Sequence, residues 1–363
     1  MIDFEPNEEQ QLIAETVHQF AENEVRPAAR DCDESGKLPG SVLAQAQELG
    51  LVANAIEEAY GGGGARSAVT SALIAEELAW GDLSIAIAIL SPSLLALPLT
   101  DAGTPAQKER WLPGLCGERF VPGALALVEP EFASDVFVPQ TRAHSASGQG
   151  DFVLTGRKCL VPWIDGGDTV LVVAATDDGP GAFLVPRDAA GLTATPEDNL
   201  GIAGLPTVEL TLEDVRVAAD ARLGGTPDTC RNIVHRGRIG LAAMAVGLAR
   251  AAFEVSRDYA KQREAFGAPI ATKQAIAFKL ADMAIEIDGA RLLTWEAAWR
   301  LDEGLDASRE ATLAYQQAQR VALEVSDGAI QVFGGHGYIR EYLPEMHLRN
   351  ARGFSCFEAL TLV

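Results

Sequence analysis

At 363 residues, 48% hydrophobic and 22% charged, the chain has the composition of an ordinary soluble globular protein with room for two or three domains. Its formal charge of −22, from 29 basic and 51 acidic residues, argues against nucleic acid and anionic membrane surfaces as partners. An anionic small ligand stays open, because a phosphate needs only a few local arginines or helix N-termini. Five scattered cysteines without CxxC spacing fit a reducing cytosol. The polar, acidic start after Met1 lacks a signal-peptide pattern, and no apolar run is expected to reach the ~20 residues of a membrane span.

Taken in chain order, residues 1–115 read as a helical domain. NEEQQLIAETVHQFAENEVRPAAR places Leu12, Ile13, Val17, Phe20 and Val25 near helical period, and Pro27 is expected to break or bend that helix. TSALIAEELAWG and SIAIAILSPSLLALPL are more apolar and read as buried. Gly61 to Gly64 follow no strand and lack GxGxxG spacing, so they read as a loop. Residues 116–222 change character: short Val-, Leu- and Thr-rich runs bounded by Gly, Pro and Asp predict a β-barrel or sandwich. Residues 223–363 return to helix, in long stretches at 230–263, 270–303 and 307–334 with Asp306 or Ser308 as candidate caps of the last. Their Ala- and Leu-rich faces predict a four-helix bundle. The expected fold is thus α+β and multi-domain.

No GxSxG, HExxH or Walker A pattern is present, and five histidines, including His235, are spread without ligand spacing. They read as surface or helix-packing residues. A protein without nucleophilic or metal chemistry of its own leaves the hard step to an organic cofactor. One run carries chemistry, QVFGGHGYIREYLPEMHLRNARGFSCFEAL from Gln331. Glu358 sits in it among Phe354, Cys356, Phe357 and Leu360. A carboxylate kept from water is a candidate base. The alternative is a helix C-terminus followed by a surface turn.

Four segments resemble the acyl-CoA dehydrogenase family: FEPNEEQQLIAETVHQFAENEVRP, LALVEPEFASDV, REAFGAPIATKQAIAFKLADM and the Gln331 run. The resemblance implies non-covalent FAD at a subunit interface, an acyl-CoA substrate and α,β-dehydrogenation to the trans-2-enoyl-CoA. It implies Glu358 as the base, with Arg238 near it. The base position used by some members falls on Gly237, which cannot serve. Arg263 and Gln274 correspond to residues reaching the FAD pyrophosphate and adenine from a neighbouring subunit. Gln331, Gly334 and Gly335 correspond to an adenylate-contacting turn, and Ser134 to a residue near the flavin and the CoA arm. Also implied are an electron-transfer flavoprotein as acceptor, a homo- or hetero-tetramer, a role in lipid β-oxidation and a cytoplasmic location.

The chain departs from the pattern at several places. Val128 stands where a threonine usually bonds the flavin pyrimidine edge, and Pro162 where a threonine often bonds flavin N5. Ala359 and Leu360 replace Gly–Thr after the base, and Leu362 replaces a polar residue that helps hold FAD. A further helix is expected beyond Val363. Two readings follow: a catalyst, alone or as one half of a heteromer, or a non-catalytic structural subunit of a heteromeric complex.

Overall fold

A computed structural model describes residues 5–146, 150–224 and 226–363. The N-terminal helices are α1 (Glu8–Phe20), α2 (Arg26–Ser35), α3 (Gly40–Glu48), α4 (Ala68–Gly81), α5 (Leu83–Leu90), α6 (Ser93–Ala102) and α7 (Pro105–Leu115). The capping box of Asn7 and Gln10 starts α1. Pro27 does not end the helix. A π turn at Ala21–Val25 precedes it, and Pro27 then sits in the first turn of α2, where a missing N–H is tolerated. Of the apolar residues expected on the buried face of α1, Val17 is buried and Leu12 is exposed. Helices α4 to α6 are almost wholly buried, as their composition predicts.

The expected absence of membrane-length apolar runs is corrected. Leu83–Ala102 and Asp228–Gln262 are both long and apolar enough to cross a bilayer. The first is fully buried and broken into α5 and α6, and the second is mostly buried, so both are core helices of this fold.

Strands β1 (Leu125–Ala126), β2 (Arg142–Ser145), β3 (Phe152–Pro162), β4 (Thr169–Thr176), β5 (Gly179–Pro186), β6 (Leu192–Pro196), β7 (Thr207–Val217) and β8 (Arg222–Leu223) form one eight-stranded sheet. Its order is β6-β7-β3-β2-β4-β5-β8, with β1 pairing β4 in parallel. The five longer strands are the five runs visible in the sequence. A bulge in β3 between Lys158 and Val161 holds Leu160 at φ 54 and sends its N–H to the Glu197 carboxylate. Pro162 then closes the strand opposite Thr207, where its missing N–H does no harm.

Helix α8 (Pro227–Gln262) is 36 residues long. It is followed by a short hairpin, β9 (Glu264–Ala265) and β10 (Ala268–Pro269), then α9 (Gln274–Asp302), α10 (Ser308–Phe333) and α11 (Pro344–Gly353). Three long helices and the short α11 make the expected bundle. Asp306 accepts from the Ser308 N–H at 3.0 Å, although Ala307 is the residue at the N-cap. Helix α4 packs against α8 through a buried charge network in which Glu76 meets both Arg250 and Arg291, at 3.0 Å each.

Asp82 caps α5, its Oδ1 accepting from Ile85 N at 2.9 Å, yet it is fully enclosed, and burial pushes its pKa up to about 6. Between the unfolded value near 3.8 and about 6 the folded chain binds the extra proton, so stability falls as pH rises through this window. Asp82→Asn keeps a good cap and removes the charge. It is expected to stabilise the protein by about 1–3 kcal/mol at pH 7.5, with little effect at pH 4. Denaturant titrations at the two pH values test this; equal effects would contradict it.

Candidate active site

The α8 helix and the turn after α11 meet at Glu358. Its carboxylate accepts from Arg238 Nη2 at 2.8 Å and Nε at 3.2 Å, and Arg238 Nη1 donates to Thr312 Oγ1 at 3.0 Å. The arginine that the resemblance places near Glu358 is thus bonded to it, and the surroundings are less apolar than the flanking Phe354, Phe357 and Leu360 suggest. Glu358 is partly buried, with Phe357 and Ala359 buried on either side, but its carboxylate rests in a forked ion pair. Arg238 is thus tied to α10 on one side and to the carboxylate on the other.

Tyr315, buried on α10, donates its hydroxyl to the carbonyls of Phe354 and Phe357. That fixes the turn immediately before Glu358, and burial beside the Glu358 charge pushes the phenol pKa upward. Among the described residues the Glu358 backbone N–H has no hydrogen-bond acceptor, so it is free to donate outward.

Gly237 lies where Ala359 crosses α8. A Cβ at Gly237 would sit 2.7 Å from Ala359 Cβ and 2.8 Å from its Cα. A carboxylate-bearing side chain there and the present path of the Glu358 segment therefore exclude one another. Gly237→Ala is expected to cost about 1–3 kcal/mol and to lower kcat by moving Glu358. Unchanged melting and turnover would show that the segment yields freely.

The loop at 130–138, with Ser134, folds over the same end of α8. Phe137 lies 5.3 Å from the Arg238 guanidinium and 5.8 Å from the His235 ring. Ser134 itself is half-buried, and its N–H closes a turn on Glu131 O. Val128 offers no hydroxyl, and its carbonyl is taken by Cys159 N at 2.9 Å. Leu362 faces the interior between α6 and α8, its N–H donating to Ser93 Oγ at 3.1 Å, while Arg236 Nη1 reaches Val363 O at 2.6 Å.

A hollow of about 260 Å³ lies at the far end of α8, lined by Tyr259, Arg263, Phe333, Gly334, Gly335 and His336 among others. Arg263 makes no ion pair among the described residues. Gly334 takes φ 60 and ψ −132, a conformation that strains other residues, and a Cβ at Gly334 or Gly335 would meet nothing within 4 Å. Tyr259 stacks on Phe333 at 4.0 Å between ring centroids and bonds His336 Nδ1 at 2.8 Å. An unpaired guanidinium facing open glycine backbone suits a diphosphate. Gln274, the first residue of α9, and Gln331, near the end of α10, are both exposed, and no contact joins either to Arg263.

The structure thus brings Glu358 and Arg238 together, and Arg263 with Gly334 and Gly335, but keeps the two groups apart. Residues 238 and 263 are separated by about 37 Å of helix at 1.5 Å per residue. Thr312, Tyr315, Phe137 and His235 have no sequence signal. Thr312 and Tyr315 meet the site across 74 and 42 positions of chain, Phe137 meets it through the 130–138 loop, and His235 packs on Phe137 from α8 itself.

Three family descriptions match the chain in succession: the N-terminal domain of acyl-CoA dehydrogenase over 7–119, the middle domain over 124–215 and the C-terminal domain over 225–358. The chain is 39% identical to a probable acyl-CoA dehydrogenase of Bacillus subtilis, over 97% of this chain and 94% of that protein. Butyryl-CoA dehydrogenase from Megasphaera elsdenii superposes with a TM-score of 0.90 at 34% identity, covering 98% and 96% of the two chains. A glutaryl-CoA dehydrogenase from Mycobacterium smegmatis, solved with FADH2, superposes at 0.87 with 29% identity over 97% and 91%. The chain belongs to the acyl-CoA dehydrogenase family, FAD-dependent oxidoreductases that act on the CH–CH bond of acyl-CoA thioesters.

Proposed function

We propose that this protein dehydrogenates a short-chain acyl-CoA, with Glu358 removing the α-proton. The observation that carries this reading is Glu358 itself, presented on a turn pinned by Tyr315 beside Arg238, with its own N–H free. Similarity to a butyryl-CoA dehydrogenase supports the chain length. The α-proton is acidic only when the thioester oxygen is polarised, and the Glu358 N–H is the donor this chain supplies for that oxygen. For proton transfer the carboxylate turns out of the Arg238 fork toward the α-carbon, while Thr312 keeps Arg238 in place. Bound FAD would supply the acceptor for the hydride leaving the β-carbon.

The residues fit that cofactor unevenly. The hollow at Arg263, Gly334 and Gly335 suits its diphosphate and adenylate end, and the exposed Gln274 and Gln331 are the further contacts that the family resemblance implies. The ring end has fewer donors, since Val128 and Pro162 lack the hydroxyls, and Ser134 is left as the hydroxyl on that loop. Because Arg263 lies about 37 Å along α8 from Arg238, the residue that holds the Glu358 carboxylate, each FAD is completed by two copies of the chain. The exposed stripe Phe278, Ile285 and Leu292 along α9, with Phe266 on the β9–β10 hairpin, supplies apolar surface for that association. We assign a tetramer built as a dimer of dimers, an electron-transfer flavoprotein as acceptor, and a cytoplasmic role in fatty-acid β-oxidation. The non-catalytic reading is not favoured, because the base, its arginine and the phosphate-facing arginine are all retained.

Turnover of butyryl-CoA with FAD and an artificial electron acceptor tests the proposal. Formation of the 2-enoyl-CoA is expected. No product from any acyl-CoA, with FAD supplied, would overturn it.

A further inference from the structure

The residues after Glu358 are buried, yet they form no helix or strand. Ala359, Leu360, Thr361, Leu362 and Val363 are each at most 3% exposed. Among the described residues, no backbone group of 358–363 bonds another backbone group. Two side-chain bonds hold the segment instead: Leu362 N donates to Ser93 Oγ at 3.1 Å, and Arg236 Nη1 donates to Val363 O at 2.6 Å. A buried stretch tied so sparsely depends on each tie. It also holds a strained residue. Ala359 sits at φ 50, in the left-handed region that is costly for a residue with a Cβ. Such a conformation persists only where its surroundings impose it.

Three successive residues of α8 impose it. Arg238 holds the Glu358 carboxylate, Gly237 lies under Ala359, and Arg236 holds Val363. On the other side, Tyr315 fixes the carbonyls of Phe354 and Phe357. Glu358 and Ala359 are therefore held between two anchors, Tyr315 before them and Arg236 after. Arg236 is itself fixed. Its Nε meets Asp101 Oδ2 at 3.0 Å, and Asp101 also pairs with Arg66 from the loop before α4. One planar fork thus reaches a carboxylate and a carbonyl together, which a single ammonium does less well. A hollow of about 380 Å³, lined by Pro98, Asp101, Asn232, Arg236 and Leu362 among others, opens beside the fork. No hydrogen bond joins Arg236 to Glu358 among the described residues, so proton transfer does not itself use it.

We propose that Arg236 is a positioning residue for proton abstraction: by clamping Val363 against Asp101 it keeps the left-handed turn at Ala359, and with it the carboxylate and N–H of Glu358, in their working places. The proposal rests on the reading of Glu358 as the base. The Arg66–Asp101–Arg236 chain of charges then ties the base to the N-terminal helical domain as well as to α8 and α10.

The test uses the full-length, FAD-reconstituted protein with butyryl-CoA. Arg236→Ala is expected to lower kcat about 10- to 100-fold, the scale that an ångström of misplacement produces, with FAD content and acyl-CoA affinity within about twofold of wild type. Asp101 keeps Arg66, so the change leaves no carboxylate unpaired. Because the hollow adjoins the vacated place, millimolar ethylguanidinium should restore several-fold of the lost kcat, and ethylammonium of equal charge should not. Arg236→Met, which keeps the stem and fills that place, should show the same loss without rescue; it also serves if the alanine variant fails to fold. Unchanged kcat in both variants would overturn the proposal. So would a loss that follows melting temperature and FAD content and answers to neither salt, since that is a packing role. Hydrogen exchange at the Leu362 amide gives a reading without turnover. Arg236→Ala should speed it at least about tenfold while the amides of α10 keep their rates. Unchanged exchange beside a lower kcat would show that Arg236 does not act through this segment. Faster exchange in a protein whose wild type turns over no acyl-CoA would leave the clamp standing and remove the assigned activity instead.

Discussion

Glu358→Gln is expected to reduce kcat for acyl-CoA dehydrogenation by at least about 10²–10⁴-fold, the range that a positioned general base supplies, while acyl-CoA still binds. Glutamine fills the same volume and keeps an oxygen toward Arg238, so the turn pinned by Tyr315 should persist. It cannot take the proton. No other side chain can replace it: Gly237 has none, and any side chain there would collide with Ala359. Substrate binding measured by calorimetry, beside single-turnover rates, separates the two effects. A variant that retained a tenth of wild-type kcat would show that Glu358 is not the base.

Arg263→Met should weaken FAD binding about 10- to 100-fold, the loss of one or two charge-assisted hydrogen bonds of about 1.5–3 kcal/mol each. The larger consequence concerns mixtures. If each site takes Glu358 from one copy and Arg263 from its neighbour, a dimer of one Glu358→Gln chain and one Arg263→Met chain holds one intact site and one doubly altered site. Random reassembly of two inactive variants should then restore about a quarter of wild-type activity, half of the sites in half of the dimers of a symmetric pair. The assay is run at FAD concentrations too low to load Arg263→Met alone. No recovery would place both residues at one site within a single chain, in conflict with the roughly 37 Å of α8 between Arg263 and Arg238, the partner of Glu358.

Much of the architecture is legible in the sequence because it repeats with a period. The 3.6-residue pattern of α8, α9 and α10 persists over 26 to 36 residues, and Val- and Leu-rich alternation marks β3 to β7. Strands β1 and β8 are two residues long and carry no pattern, and the π turn before Pro27 reflects packing that periodicity does not encode. Leu83–Ala102 shows the opposite failure: a core segment so apolar that composition cannot tell it from a membrane span. At the site, residue types are legible and their relations are not. Residue spacing alone does not pair Glu358 with Arg238, which lies 120 positions away; only the family resemblance brings the two together. His235 looks like one of five ordinary histidines, and only burial without a hydrogen bond sets it apart.

The most direct measurement is the visible spectrum of the purified, FAD-reconstituted protein, recorded anaerobically before and after adding butyryl-CoA. The expected result is a yellow protein whose flavin absorbance bleaches with the wild type and not with Glu358→Gln. A protein that takes up no FAD, or whose bound flavin keeps its colour with every acyl-CoA tried, would contradict a Glu358-dependent dehydrogenase.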